Sequence, residues 1–314
     1  MMADRETPRR LVSVGAKRYR LTPADARFPE ALANQGITEL FCVGNLSVLT
    51  EPTLAAAGSR RATPYGIAAS EIAGRVAAEC DVVVLTSAAA GCEHAAARSA
   101  LDGGGRVLIV SGCGADVAYP KSSLDVFEDA KASGSLIVSA ERWGSLPKPE
   151  AFVRKSEIIA CLASSLLVAE ACDRSSTIRT ARLARAKGAN VYAVPGSIFS
   201  TNSAGTNCLL QEGAYPIASE RDLMERIALD FDATPPQAEE AKTPLGAVLQ
   251  ALSAMPMRPD DLAEKADVSV LTMLRTILDY EEAGIVQRMM DGRYSLTPAS
   301  YERLRSHADE LSLI

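Results

Sequence analysis

Residues 81–113 read DVVVLTSAAAGCEHAAARSALDGGGRVLIVSGC, and the two apolar runs in this stretch decide the fold. VVVL and VLIV are apolar on consecutive positions, as strands buried on both faces of a parallel sheet are. Between them CEHAAARSALDGG has helical spacing, so the unit is strand, helix, strand. The alternation continues in both directions. TLAAAGS and TPYGIAASEIAGRVAAE come before it, and SSLDVFEDAKASG, SLIVSAE and a helix over Ala151–Ala163 come after, then SLLVAEA, a helix over Ser176–Lys187 and NVYAVPG. This order predicts an α/β fold with a doubly wound, mainly parallel sheet over residues 55–229.

The flanks read differently. Residues 1–54 hold a turn and short helix in RLTPADARFPEAL and a strand in LFCVGNLSVL, expected to pack as an extension on the sheet edge. DFDATPPQAEEAKT, with its paired prolines, predicts a linker over residues 230–243. Residues 244–314 show three helical patterns, Leu245–Met255, Arg258–Ala266 and Val268–Ala283, then VQRMMDGRYSLT with a hairpin signal at Asp291-Gly292. Three helices and a hairpin predict a small winged-helix domain, with a short terminal helix from Ala299.

Composition sets limits on function. A chain of 314 residues, 47% apolar and 23% charged, suits two folded domains of about 100–200 residues. The longest apolar stretch, Ile158–Ala171, is broken by Ser164, Ser165 and Glu170 and falls short of the ~20 residues of a membrane span. Met1–Arg20 lacks the apolar core of a signal peptide. Seven scattered cysteines without a CxxC pair fit reduced thiols in a cytoplasm better than a disulfide framework. The only histidines are His94 and His307, so neither a metal site nor a cofactor is expected, and His94 is expected on an exposed helix face. The net charge of −6 argues against a broadly basic nucleic-acid binder. Residues 237–314, however, carry 13 Asp and Glu against 8 Lys and Arg, so the α/β part is nearly neutral and free to hold a local basic groove.

In an open α/β sheet ligands bind beyond the carboxyl ends of the strands, and the loops there hold the candidate residues. Gly58-Ser59-Arg60-Arg61 precedes a helix start: backbone amides, a close-approaching glycine and two guanidinium groups suit a phosphate. Arg174-Ser175-Ser176-Thr177-Ile178-Arg179-Thr180 sets hydroxyls and two arginines at a second helix N-terminus, more than capping alone requires. The loops with Gly91 and Glu93, with Gly114 and Asp116, and with Gly196 leading to Asn207 are small and polar. Each has a plain structural reading as well: Glu93 as a helix-dipole carboxylate, Gly114 and Asp116 as loop architecture. No paired acid and base stands out. Aromatics make up only 5%, so base stacking would fall to rings such as Tyr65 or Phe152.

In order and spacing, FCVGNLSVL, GSRRATPYG, TSAAAGCE, GGRVLIVSGCGADVAYP, AFVRKSEIIACLAS, LLVAEACDRSSTIRTA and NVYAVPGSIFSTNSAGTNCLLQEGA resemble the DprA (Smf) family from about Phe28 to Asp222. The resemblance implies a Rossmann-like domain that binds single-stranded DNA, dimerises, and loads RecA on single strands during natural transformation; the family is not known as enzymes. Carried over by motif, Gly58, Ser59 and Arg60 hold phosphate, Ser175, Thr177 and Thr180 add hydroxyl or helix-terminus contacts, Gly114 and Asp116 shape the pocket, as Gly91, Glu93 and Gly196 are expected to, and Asn207 closes it. Arg60 and Lys155 become the charge anchors, with Arg174 or Arg179 as helpers.

The chain departs from the family pattern at Ala90, where an arginine is usual, at Glu93 for aspartate and at Ala97 for histidine. Lys155-Ser156-Glu157-Ile158-Ile159 stands where the family has RNRII, keeping one cation and adding a carboxylate. Each lost phosphate contact lowers the salt slope by about 0.7 for a single strand, so weaker binding than a typical relative's is expected. In the third helix of the C-terminal domain Arg275 is the only cation against Asp279, Glu281 and Glu282, which favours protein contact over duplex DNA. Two other readings are a degenerate relative that senses a nucleotide or scaffolds partners, and a nucleotide-processing enzyme of the lysine-decarboxylase-like group, whose PGGxGTxxE run is missing here.

Overall fold

The computed structural model describes residues 8–10, 17–231, 233, 248–249, 251–253, 255–266 and 268–300. They divide between two compact units, Met1–Pro236 and Gln237–Ile314. In the first, the strands are β1 (Arg9–Arg10), β2 (Arg18–Leu21), β3 (Leu40–Gly44), β4 (Thr53–Ala57), β5 (Val83–Thr86), β6 (Val107–Val110), β7 (Val117–Ala118), β8 (Leu136–Ser139), β9 (Ser165–Val168), β10 (Asn190–Ala193) and β11 (Tyr215–Pro216). The helices are α1 (Glu30–Asn34), α2 (Pro64–Glu79), α3 (Cys92–Asp102), α4 (Leu124–Ala132), α5 (Pro149–Leu162), α6 (Ser176–Ala186), α7 (Ala204–Gln211) and α8 (Glu220–Phe231).

The large sheet has nine strands in the order β11-β10-β9-β4-β5-β6-β8-β3-β2. From β11 to β8 neighbours run parallel, and β3 and β2 complete the edge antiparallel. Successive side chains of a strand face opposite sides, and here both sides are covered. Leu85, Leu108 and Leu166 bury against Ile158 of α5 and Ile178 of α6. Val84, Ile109 and Leu167 bury against Val76 of α2, Ala96 and Ala97 of α3, Phe127 of α4 and Ile227 of α8. The unbroken VVVL and VLIV runs follow from this double coverage.

Two boundaries differ from the sequence expectation. The N-terminal segment is not an appendage on the sheet: β2 and β3 are strands of it, with Phe41 opposite Ser139 and Leu21 opposite Leu40. Leu40, Phe41, Cys42 and Val43 are all buried, so both faces of β3 are covered, and its two edges are paired with β2 and β8. The break expected after residue 54 falls inside β4. At the other end α8 continues to Phe231, and Asp230 accepts from Ser165 Oγ and Tyr192 OH, so residues 230 and 231 belong to the sheet unit. Of the rest of the expected linker only Ala233 is described.

In the second unit residues 248–249 and 251–253 are helical, followed by helices Pro259–Lys265 and Val270–Glu282. Strands Val286–Arg288 and Tyr294–Leu296 then pair antiparallel around a turn at Asp291-Gly292. Leu252, Leu262, Met273, Ile277 and Leu296 form its core. Leu271, Leu274 and Leu278 are exposed, a feature that composition alone did not reveal. The expected terminal helix is described only at residues 298–300; its remainder lies outside the described residues. Among the described residues no helix is long and apolar enough to cross a membrane.

Candidate nucleic-acid interface

The chain leaves β4 for β5 on one side, while β9 lies on the other, so the carboxyl ends of β4 and β9 form the switch point of the sheet. The two ends are tied together: Ser59 N donates to Glu170 O at 2.7 Å. The Glu170 side chain is buried and accepts from Thr63 N at 2.8 Å and from Thr63 Oγ1 at 3.3 Å. A carboxylate at the first turn of α2 is favoured by the helix dipole, and it fixes the approach of Ser59 and Arg60. Glu170 was missed as a site residue; its one signal was an acid inside the apolar run SLLVAEA.

A cleft of about 390 Å³ opens at this switch point. It brings together Gly58, Ser59, Arg60, Lys155, Ser175, Thr177 and Thr180, with Glu93 and Cys172 on its wall. Ser175 caps α6, its Oγ accepting from Ile178 N at 3.3 Å, while Thr177 Oγ1 donates to Gly58 O at 3.3 Å and Thr180 Oγ1 to Ser176 O at 3.0 Å. The hydroxyls therefore hold the loops in place. Arg60 is exposed.

Lys155, on α5, is only 8% exposed. Its Nζ donates to Ser87 Oγ at 2.8 Å, and Glu93 accepts from Ser87 N at 3.1 Å and from Ser87 Oγ. Glu93 thus anchors the loop after β5 and supports the lysine through Ser87. Burial pulls the Lys155 ammonium below the ordinary lysine range; Glu93 opposes that shift and the charge of Arg60 adds to it. Gly91, at φ +83°, caps α3 with its backbone against the Ser59–Arg60 loop, where a Cβ would lie 2.2 Å from Ser59 O.

The other candidates are placed elsewhere. Arg174 and Arg179 line an adjoining depression of about 530 Å³ with Asp173 and Arg182, and Arg182 is held by Glu212 at 3.0 Å. Arg61 is exposed and lines neither cavity; its N–H donates to Ser59 Oγ at 3.1 Å. Gly114 N donates to Ser145 O at 2.9 Å. Asp116 accepts from Gly144 N at 2.7 Å and pairs with Arg18 at 3.7 Å, so both residues build a loop away from the cleft. Asn207 uses its whole amide on Gly196, accepting from Gly196 N at 3.2 Å and donating to Gly196 O at 3.0 Å; it sets the loop after β10 and does not line the cleft. His94 contacts Asp125 at 3.2 Å, and Ala97 is core. Among the described residues no group of His, Cys, Asp and Glu is arranged to hold a metal ion.

Comparison with known proteins places the chain in a family and a fold. The family model of DNA recombination-mediator protein A matches residues 19–228, and that of the HVO_A0261 N-terminal domain matches residues 245–308. The DNA processing protein DprA of Streptococcus pneumoniae is 36% identical over 187 residues, covering 59% of this chain and 65% of that protein. Protein Smf of Escherichia coli is 27% identical over 299 residues, 91% of this chain and 78% of that protein. Among solved structures, DprA from S. pneumoniae aligns with a TM-score of 0.61 at 32% identity, covering 67% of this chain and 74% of that one. DprA from Helicobacter pylori, described for its single-stranded DNA binding mode, shares the fold with a TM-score of 0.59 at 24% identity, covering 68% and 97%. Because the family model extends from β2 into α8 and so takes in the whole nine-stranded sheet with its switch-point cleft, the chain belongs to the DNA recombination-mediator protein A (DprA/Smf) family.

Proposed function

We propose that this chain is a non-catalytic, cytoplasmic single-stranded-DNA-binding protein of DNA processing, natural transformation and recombination, working by phosphate capture in the switch-point cleft. The observation that carries the reading is the pairing of one exposed and one buried cation, Arg60 and Lys155, on a cleft that also holds the N-terminus of α6, with Glu93 as its one carboxylate. Amides at a helix N-terminus favour an anion, and an entering phosphate favours the charged form of the desolvated Lys155 ammonium. Arg174 and Arg179 extend the positive surface along α6. Family membership supports the strand as ligand, and with it a homodimer that loads RecA.

The C-terminal unit is proposed as a winged-helix module for protein contact. Its helix Val270–Glu282 carries Arg275 against Asp279, Glu281 and Glu282, and exposes Leu271 and Leu278 at 63% and 55%. An acidic and apolar surface opposes duplex phosphates, which supply most non-specific affinity.

A fluorescence titration with labelled oligothymidylate, a duplex of equal length and mononucleotides tests the proposal. Tightest binding to the single strand is expected. Mononucleotides bound as tightly as the strand would show a nucleotide sensor instead.

A further inference from the structure

Glu170 is spent on the start of α2. The residue is only 2% exposed, and its carboxylate accepts from Thr63 N at 2.8 Å and from Thr63 Oγ1 at 3.3 Å. Gly66 makes room for it: a Cβ there would lie 2.1 Å from Glu170 Oε2. The backbone of Glu170 holds the other end of the loop, accepting from Ser59 N at 2.7 Å. Arg61 N donates to Ser59 Oγ at 3.1 Å and Gly66 N to Thr63 Oγ1 at 3.3 Å. Pro64, the first residue of α2, has no N–H to offer.

In a dinucleotide-binding α/β fold the pyrophosphate lies at the N-terminus of the helix that follows the switch-point strand, on free backbone amides. Here that strand is β4 and that helix is α2, and the amides of Ser59, Arg61, Thr63 and Gly66 already have partners. The place of the ligand anion is filled from within. We propose that Glu170 is an internal anion that closes the nucleotide-phosphate seat at the N-terminus of α2 and leaves phosphate capture to the Arg60 side chain, Lys155 and α6. This inference rests on the strand reading above and adds a reason why the ligand is a strand. A free nucleotide depends on one backbone cradle for its pyrophosphate, whereas a strand spreads its phosphates over several separate contacts. Glu170 touches no ligand in this arrangement; it positions the loop and sets the specificity.

The test uses full-length wild type, Glu170→Ala and Glu170→Gln, with inorganic pyrophosphate, formate and labelled oligothymidylate as probes. By calorimetry the alanine variant, its seat vacated, is expected to bind pyrophosphate about tenfold tighter than wild type, the order of one hydrogen bond to a charged group. Its strand affinity should fall, because the loop that carries Arg60 loses its anchor. Formate, a carboxylate small enough for the vacant seat, should restore that affinity where chloride at equal ionic strength does not, and should not raise the affinity of wild type. Glu170→Gln keeps the volume and an oxygen for Thr63 N, so it should retain more strand affinity than alanine and gain little for pyrophosphate. Pyrophosphate bound no tighter by the alanine variant than by wild type, or a loss of strand affinity that formate does not restore, overturns the inference. If the alanine variant does not fold even in formate, the glutamine variant decides: a pyrophosphate gain as large as the one expected of alanine, with the seat still filled, overturns it. Failure of wild type to bind oligothymidylate overturns the strand reading, and the pyrophosphate comparison still decides the seat.

Discussion

Lys155 Nζ donates to Ser87 Oγ at 2.8 Å, so the buried cation of the cleft is held by the loop after β5 rather than by a carboxylate of its own. Its ammonium, desolvated and beside Arg60, titrates below the ordinary value of 10.5. Between that lowered pKa and 10.5 the unfolded chain binds more protons than the folded one, so this group makes folding more favourable as pH rises through the window. Strand binding has the opposite sign, because a phosphate favours the charged form and affinity falls over the same range. Titrations from about pH 7 to pH 10 should show stability gained while binding is lost, and Lys155→Met should flatten both. Binding that strengthens with pH would refute a charged Lys155 in the complex.

Gly91 is the point where the α3 cap presses on the phosphate loop. Its φ of +83° and the 2.2 Å between a built Cβ and Ser59 O mean that Gly91→Ala must both strain the backbone and displace Ser59 and Arg60. The strain alone costs about 1–2 kcal/mol, visible by urea denaturation. Strand affinity should fall in a protein that still folds; unchanged affinity would show that the position of this loop does not govern binding.

Much of the frame was legible because parallel strands buried on both faces leave unbroken apolar runs, as VVVL and VLIV do. The cleft was legible in part. Ser175 and Gly58 occur in local patterns with a local mechanism, and the structure sets them side by side. Asn207 and Asp116 have the same loop chemistry but spend it on Gly196 and Gly144, a choice made by contacts between distant segments that spacing does not encode. Glu170 and Ser87 escaped notice for a related reason. Each has a partner, Thr63 or Lys155, that lies 68 or more positions away.

Cys172 provides a footprint. It lines the cleft and is exposed, whereas Cys42, Cys80, Cys92 and Cys113 are buried, and burial pushes the Cys42 and Cys113 thiols up to about 12. The thiolate is the reactive form, so maleimide should label Cys172 ahead of those four. Oligothymidylate should slow that labelling, read by mass spectrometry of the peptide. Equal rates with and without strand would place the DNA elsewhere.

A chain ending at Pro236 keeps every cleft residue. With the acidic, leucine-bearing helix Val270–Glu282 gone, single-strand affinity should change by less than about twofold, within the ±0.5 kcal/mol typical of changes away from a site. A large loss would assign strand contacts to the C-terminal unit.

Arg60 is exposed on the cleft wall, so its removal bears most directly on phosphate capture. Anisotropy titrations of labelled single strands against wild type and Arg60→Ala, at several salt concentrations and with more than one sequence, give affinity and slope together. Weaker binding for every sequence alike, with the slope of log K against log salt reduced by about 0.7, is the expected result. An unchanged affinity and slope would contradict phosphate capture at the switch point.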